Sequence, residues 1–356
     1  MGSIPITLSS EKKKKPNQDQ LEFGRTFTDH MFVMDYSNEK GWYNPRIMPY
    51  QSITLDPAAI VFHYGQTVFE GLKAYLTQDE KVHLFRPEKN MERLNRSNDR
   101  LCIPNIDEEF AIEAIKKLVH LEKDWIPSAP GTSLYIRPFV ISTEAYIGVA
   151  PSKTYQFIVI LSPVGAYYKE GINPVKIAVE SKYVRAVPGG TGEAKTGGNY
   201  AASLKAQELV AGSGYAQVLW LDGVERKYVE EVGSMNVFFK INGEIVTPSL
   251  NGSILEGVTR NSVIKLLKHW GYTVNERKIA FEEIYNAHKD GQLEEAFGAG
   301  TAAVISPIGE FSWNEHKLVI NNGETGEVSK KLYDTLTGIQ YGTEQDPFDW
   351  IVEIND

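Results

Sequence analysis

Lys195 lies in GGTGEAKTGGNY, with glycines on both sides. Glycine lets a backbone approach a ligand closely and take φ > 0 without strain. Three readings of this segment compete. The amine can form a Schiff base with an aldehyde cofactor, residues 189–196 can cradle the phosphates of a nucleotide, or the lysine is incidental to a surface loop. The nucleotide loop departs at one position, because Ala194 stands where glycine is expected. It also requires a helix beginning at Lys195-Thr196, and the pair Gly197-Gly198 opposes helix nucleation.

A Schiff-base enzyme built on a pyridine aldehyde needs four more things: a phosphate seat, an acid at the ring nitrogen, a donor to the ring phenolate and a site for the substrate carboxylate. Gly257-Val258-Thr259 precede a clear helical pattern, so their backbone N–H groups can point at an anion. Gly300-Thr301 in AFGAGTAAVISP offers further amides and a hydroxyl. The same stretch matches a weak dinucleotide fingerprint from Gly298 to Ala303, but Pro307 and the β-branched residues before it deny the helix such a site needs. Arg93 can add a phosphate charge, although an arginine on a helix is most simply exposed. A carboxylate in YVEEVGSMNVFF can keep the ring nitrogen protonated, since a nearby opposite charge favours the charged ring. Glu230 and Glu231 point to opposite faces of an extended segment, and the residues alone do not choose between them.

The elements that must position these groups are strands and helices in mixed order. RPEKNMERLNRSNDRL predicts a helix opened by a proline in its first turn and stopped before Pro104. A second helix follows, capped by Asp107 and carrying Phe110, Ala114, Ile115, Leu118 and Val119 at helical spacing. SLYIRPFVI, TYQFIVILSPV, VKIAVES and AQVLWLDG read as strands, and MNVFFKINGEIVTP as a hairpin folded at Asn242-Gly243. TRNSVIKLLKHWG and FEEIYNAHKDG are helices closed by Gly271 and Gly291. Many short strands with a few helices on each side of the Pro- and Gly-bearing stretch PVGAYYKEGINP point to two α+β domains. The expected division is a flexible tail over 1–20, a smaller domain over 21–164, a linker over 165–174 and a larger domain over 175–356. A chain of 356 residues exceeds one hydrophobic core.

The net charge of -9 disfavours nucleic acid as a partner. The single cysteine, Cys102, permits no internal disulfide and no Cys-rich zinc site, so no metal is expected and a reducing cytoplasm suits the chain. No run approaches a membrane span, and Lys12 to Lys15 read as part of a solvated tail.

In order and spacing, KTGGNYAASLKA, EEVGSMNVFF, ILEGVTRNS and EAFGAGTAAVISP closely resemble the branched-chain aminotransferases among the fold-type IV pyridoxal-phosphate enzymes. FGRTFTDHMFVMDY, HYGQTVFEGLKAY, LFRPEKNMERLNRS, GTSLYIRPFVI and SPVGAYY resemble the same family, so the likeness covers nearly all of the chain after about residue 20. The resemblance implies a two-domain α+β fold with a mixed sheet or pseudo-barrel in the larger, cofactor-binding domain. It implies that Lys195 bonds pyridoxal 5'-phosphate, that Tyr200 donates to its phenolate and that Glu231 pairs with its ring nitrogen. Arg93, Val258, Thr259 and Thr301 would hold the phosphate. Phe23, Tyr64, Phe69, Tyr135, Arg137, Tyr167, Ser234 and Ala302 would form the substrate pocket. A homodimer is implied, with its active site between the domains and one loop from the partner. Two departures stand out: Ala303 and Ser306 replace the redox-sensitive Cys-x-x-Cys of animal members, and Ser234 stands where some relatives have threonine.

The implied reaction moves the amino group of leucine, isoleucine or valine to 2-oxoglutarate, with Lys195 as general base. The alternatives are another fold-type IV enzyme, such as a D-amino acid or amine transaminase, or a nucleotide-binding protein. Tyr135 and Arg137, two apart on a strand, favour the branched-chain group.

Overall fold

The computed structural model describes residues 3–165 and 172–355. The chain divides into two compact units, one of Met1–Tyr167, Ala194–Gly197 and Gly338–Asp356, the other of Tyr168–Glu193 and Gly198–Thr337. In the first unit, strands β1 (His30–Ser37) and β2 (Gly41–Pro49) form a hairpin, and α1 (Ile60–Tyr64) leads into β3 (Thr67–Phe69). Next come β4 (Leu72–Leu76), β5 (Val82–Phe85), α2 (Pro87–Arg100), α3 (Glu108–Leu121), β6 (Ser133–Ser142) and β7 (Thr154–Val164). Pro87 opens α2 in its first turn, and the Asp107 carboxylate accepts the Phe110 N–H at 2.9 Å to cap α3, as the sequence predicts.

Among the described residues the sheet order is β5-β4-β6-β7-β1-β2, with β3 also paired to β6. The C-terminal strand Ile351–Ile354 adds antiparallel to β5, so residues 338–356 belong to the first unit and not to the expected 175–356 domain. One face of this sheet, carrying Leu72, Ala74, Leu134, Ile136 and Leu161, buries against Met91 and Leu94 of α2 and Ala114, Ile115 and Leu118 of α3 in one core.

The N-terminal arm differs from the solvated tail expected of it. Ile4 is buried, Thr7 and Pro5 exchange backbone hydrogen bonds with Ile47, and the Lys13 N–H donates to Asp29 at 2.8 Å. The Lys13 ammonium donates to the Thr28 carbonyl at 2.7 Å and lies 4.1 Å from the centre of the Tyr50 ring. Burial lowers its pKa, against the pull of Asp29 and Glu122. These partners are remote in sequence, so nothing local marks the arm as ordered.

The second unit holds β8 (Val175–Glu180), α4 (Gly197–Val210), β9 (Gln217–Leu221), β10 (Val229–Val232), β11 (Met235–Ile241) and β12 (Glu244–Thr247). It continues with α5 (Val258–His269), β13 (Val274–Glu276), α6 (Phe281–Lys289), β14 (Leu293–Gly300), β15 (Val304–Trp313) and β16 (His316–Val319). The order β10-β9-β8-β15-β14-β11, with β11 pairing back onto β10, closes six strands into a ring. That ring is the pseudo-barrel expected of the fold. Closure removes free strand edges. Val237, Phe239 and Phe311 share one core with Phe281 and Ile284 of α6. Asn242 (φ 51) and Gly243 (φ 76) form the two-residue turn between β11 and β12, the geometry that an Asn-Gly hairpin requires. Gly271 (φ 84) and Gly291 (φ 69) follow α5 and α6 in left-handed conformations. Among the described residues no helix is long and apolar enough to cross a membrane.

Candidate cofactor and substrate site

Lys195 is strapped to β3 in the first unit. Its N–H donates to the Ser97 hydroxyl at 2.9 Å, its carbonyl accepts the Phe69 N–H at 3.0 Å, and the Thr196 hydroxyl donates to the Thr67 carbonyl at 2.7 Å. Backbone fixed on both sides leaves only the side chain to move. The Lys195 amine lies 4.7 Å from the centre of the Phe69 ring. α4 begins at Gly197, two residues after Lys195, so the glycine pair does not prevent a helix there. Tertiary strapping of Lys195 and Thr196 overrides the weak local propensity. What still separates this segment from a nucleotide loop is Ala194, which is buried at 2% exposure.

Around Phe69 the fold gathers four of the predicted residues. The Arg137 guanidinium stacks 4.8 Å from the Phe69 ring centre and donates to the Tyr135 hydroxyl at 3.1 Å. Phe23 meets the Tyr135 ring edge-to-face at 4.8 Å. A Cβ placed on Gly71 would lie 2.0 Å from the Tyr135 hydroxyl, so that ring needs a glycine beneath it. Tyr64 is exposed on α1, where its hydroxyl donates to the Ile147 carbonyl, and no described contact joins it to this cluster. Tyr167 lies outside the described residues.

Arg93 is buried, unlike an ordinary helix arginine. Its guanidinium grips the fully buried Glu70 at 2.7 and 2.9 Å. Asn90 and the Gly71 N–H complete the carboxylate's shell at 2.8 and 3.1 Å. Burial alone would raise the Glu70 carboxyl, but the charge and hydrogen bonds of Arg93, with Lys195 nearby, hold it below the ordinary carboxylate value. Sequence reasoning missed Glu70, although a carboxylate inside the apolar run TVFEGLKAYL is itself a signal.

The second unit supplies the other predicted groups. A cavity of about 300 Å³ is lined by Arg185, Tyr200, Glu231, Ser234 and Leu255, among others. Glu231 is buried at 3%, accepts the Leu255 N–H at 2.8 Å and pairs with the Arg185 guanidinium at 3.2 Å. Glu230 does not line this cavity; it accepts instead from Ser253 and from Asn251 at 3.3 Å. Arg185, in KYVRAV, is a further residue that the sequence reading passed over.

Leu255, three residues before α5, is itself held to β11, because its carbonyl accepts from Asn236 at 2.9 Å. Gly257 caps α5 without a side-chain hydrogen bond, and a Cβ there would lie 2.1 Å from the Asn236 side-chain oxygen. Val258 and Thr259 therefore stand at a helix N-terminus whose cap is backbone alone, the arrangement that receives anions. Thr301 and Ala302 occupy the turn between β14 and β15, and Val304 closes it at φ 62, a strained conformation for a β-branched residue. No helix follows, which removes the dinucleotide reading of Gly298 to Ala303.

Residues 67–311 match the amino-transferase class IV family. The chain is 70% identical over 352 residues to branched-chain-amino-acid aminotransferase 2 of Bacillus subtilis (strain 168), covering 99% of this chain and 97% of that one. Among solved structures it resembles the branched-chain amino acid aminotransferase of Escherichia coli, with TM-score 0.76, 26% identity and coverage of 92% and 99%. It also resembles the branched-chain amino acid aminotransferase of the thermophilic archaeon Thermoproteus uzoniensis, solved with norvaline, with TM-score 0.75, 26% identity and coverage of 92% and 100%. The chain belongs to the class IV amino-transferases, in the group of the branched-chain-amino-acid aminotransferases.

Proposed function

We propose that this chain is a branched-chain-amino-acid transaminase that uses pyridoxal 5'-phosphate to pass the amino group of L-leucine, L-isoleucine or L-valine to 2-oxoglutarate. The observation that carries the reading is Lys195, clamped by its own backbone with its amine at the Phe69 ring, against which Arg137 also stacks. The residues fit the cofactor. Lys195 would bond its aldehyde, Glu231 would hold the proton on its ring nitrogen and Tyr200 would donate to its phenolate. Arg93, Val258, Thr259 and Thr301 would hold its phosphate; the side-chain-free cap of α5 suits that anion. A buried acid opening on a cavity beside a tyrosine is the donor set such a ring requires.

When bound, pyridoxal phosphate supplies a conjugated ring that accepts the electron pair left behind by the substrate α-proton. Lys195 Nζ takes that proton, and the strap on its backbone keeps the amine in reach. Arg185, paired with Glu231 at 3.2 Å, holds that carboxylate in position. Phe23, Phe69 and Tyr135 would wall the apolar part of the substrate site, in which burying a branched side chain is worth about 1.5–3 kcal/mol. Arg137 with the Tyr135 hydroxyl is the polar anchor for the second carboxylate of glutamate and 2-oxoglutarate. Tyr64, Tyr167, Ser234 and Ala302 are the further residues that the family resemblance would assign to substrate binding.

The proposal extends to a homodimer in the cytoplasm. Phe62, Ile147 and Val149 stand 63%, 66% and 86% exposed, the kind of apolar surface a second copy would cover. The single cysteine suits a reducing compartment.

Borohydride reduction followed by peptide mapping tests the reading. Pyridoxyl label is expected on Lys195, with transfer from L-leucine to 2-oxoglutarate and none from D-alanine. Label on another lysine, or none, overturns it.

A further inference from the structure

β4 and β6 place a second cation beside the substrate cluster. Lys73 is the register partner of Tyr135, and Tyr135 is in turn the partner of Ser162 on β7. Residues paired across antiparallel strands share a face. The opposite face carries Leu72, Ala74, Leu134, Ile136 and Leu161 into the core, so Lys73, Ser133, Tyr135, Arg137 and Ser162 share the other. Lys73 and Arg137 are diagonal neighbours about Tyr135, a spacing of roughly 7–8 Å that long side chains span. Ser133 and Ser162 are 1% and 3% exposed, and their hydroxyls have no hydrogen-bond partner among the described residues. Polar groups so buried ordinarily find partners. This face therefore combines two cations with two buried hydroxyls around the Tyr135 ring.

We propose that Lys73 is a specificity residue for the distal carboxylate of a dicarboxylate substrate, sharing it with Arg137 and Tyr135. The inference rests on the transaminase reading above and says which acceptor the pocket favours and when. An apolar branched chain has no use for a second ammonium, whereas a carboxylate leaving water gains a charge-assisted partner. Burial lowers the Lys73 ammonium to about 8, so its charge is present below that pH and lost above it. Titratable or charged groups on the same face of these strands are Tyr135 and Arg137 on β6, Tyr75 on β4, and His83, the register partner of Tyr75 on β5. Tyr341 packs edge-on against Tyr75 at 5.1 Å.

The test compares Lys73→Met and Lys73→Arg with wild-type holoenzyme, measuring KM for 2-oxoglutarate and for 2-oxoisocaproate from pH 7 to 9.5. The ratio of the two KM values cancels any ionisation common to both substrates, Lys195 included. In the wild type the ratio should rise about tenfold through pH 8, the weight of one charge-assisted contact. K73M should show the raised ratio at every pH, and K73R a low ratio at every pH. A second readout needs no turnover: glutarate should protect the wild type against thermal unfolding more strongly at pH 7 than at pH 9.5. In K73M that difference should vanish, while protection by 4-methylpentanoate should match the wild type. Equal KM changes for both substrates, or a wild-type pH step that survives in K73M, would overturn the role of Lys73. Absence of turnover with glutarate protection intact would instead overturn the transaminase reading and leave the anion site standing.

Discussion

Replacing Glu70 with glutamine should unlock the first unit. The substitution keeps the shape but removes the charge that faces Arg93, whose guanidinium is 4% exposed and makes two short contacts to that carboxylate. Breaking a buried ion pair from one side costs about 3–5 kcal/mol, because the remaining charge cannot reach water. At about 2–4 °C per kcal/mol for a domain of this size, the melting transition should fall on the order of 10 °C. Calorimetry on E70Q, R93M and the double variant measures this directly. The double variant buries neither charge and should lose well under the sum of the singles. The pH dependence carries a sign as well. A carboxyl held below its ordinary value contributes stability fully above that value, about 4.3, and loses it as pH falls through the lower folded one. E70Q should lack that acid-side loss. Strictly additive single losses, or an E70Q transition within 2 °C of wild type (well under the ~10 °C expected), would refute the claim that this pair is a coupled buried unit.

Three further outcomes follow from particular contacts. Gly71→Ala places a Cβ 2.0 Å from the Tyr135 hydroxyl, and the displaced ring should lower kcat/KM for both oxo acids by up to about 100-fold; a change under about twofold in initial-rate assays would remove Tyr135 from the pocket wall. Gly243→Ala forces an L residue to φ 76 in the β11–β12 turn and should cost about 1–2 kcal/mol in urea unfolding, with activity at low denaturant unaffected. Arg137→Met should damage turnover with 2-oxoglutarate more than with 2-oxoisocaproate, and equal losses for the two would discard it as the polar anchor.

What could be read from the residues alone was local. Pro87, Asp107, Gly271, Gly291 and the Asn242-Gly243 turn act within a few residues of themselves, and each element begins or ends where they predict. The grouping of Tyr135 and Arg137 followed from strand alternation alone. Other features depend on partners distant in sequence. Nothing near Arg93 announces Glu70, 23 residues earlier, as its partner. Lys13 looked solvated because Asp29, Thr28 and Tyr50 come to it only in the folded chain. Similarly, Gly197-Gly198 weigh against a helix in isolation, yet the strap on Lys195 and Thr196 starts one there. The C-terminal strand beside β5 is a long-range pairing that no spacing signals.

The seam where β10 meets β11 has a further consequence. Glu231 sits opposite Asn236 and Val232 opposite Met235, with only Gly233 and Ser234 turning the chain between them. Were this joint threaded one residue out of step, side chains would exchange faces, and Glu230 would be presented to the chamber beside Tyr200 in place of its neighbour. Two adjacent glutamates thus owe their different fates to a two-residue corner, and the stitch that shuts the cylinder also decides which acid faces the chamber.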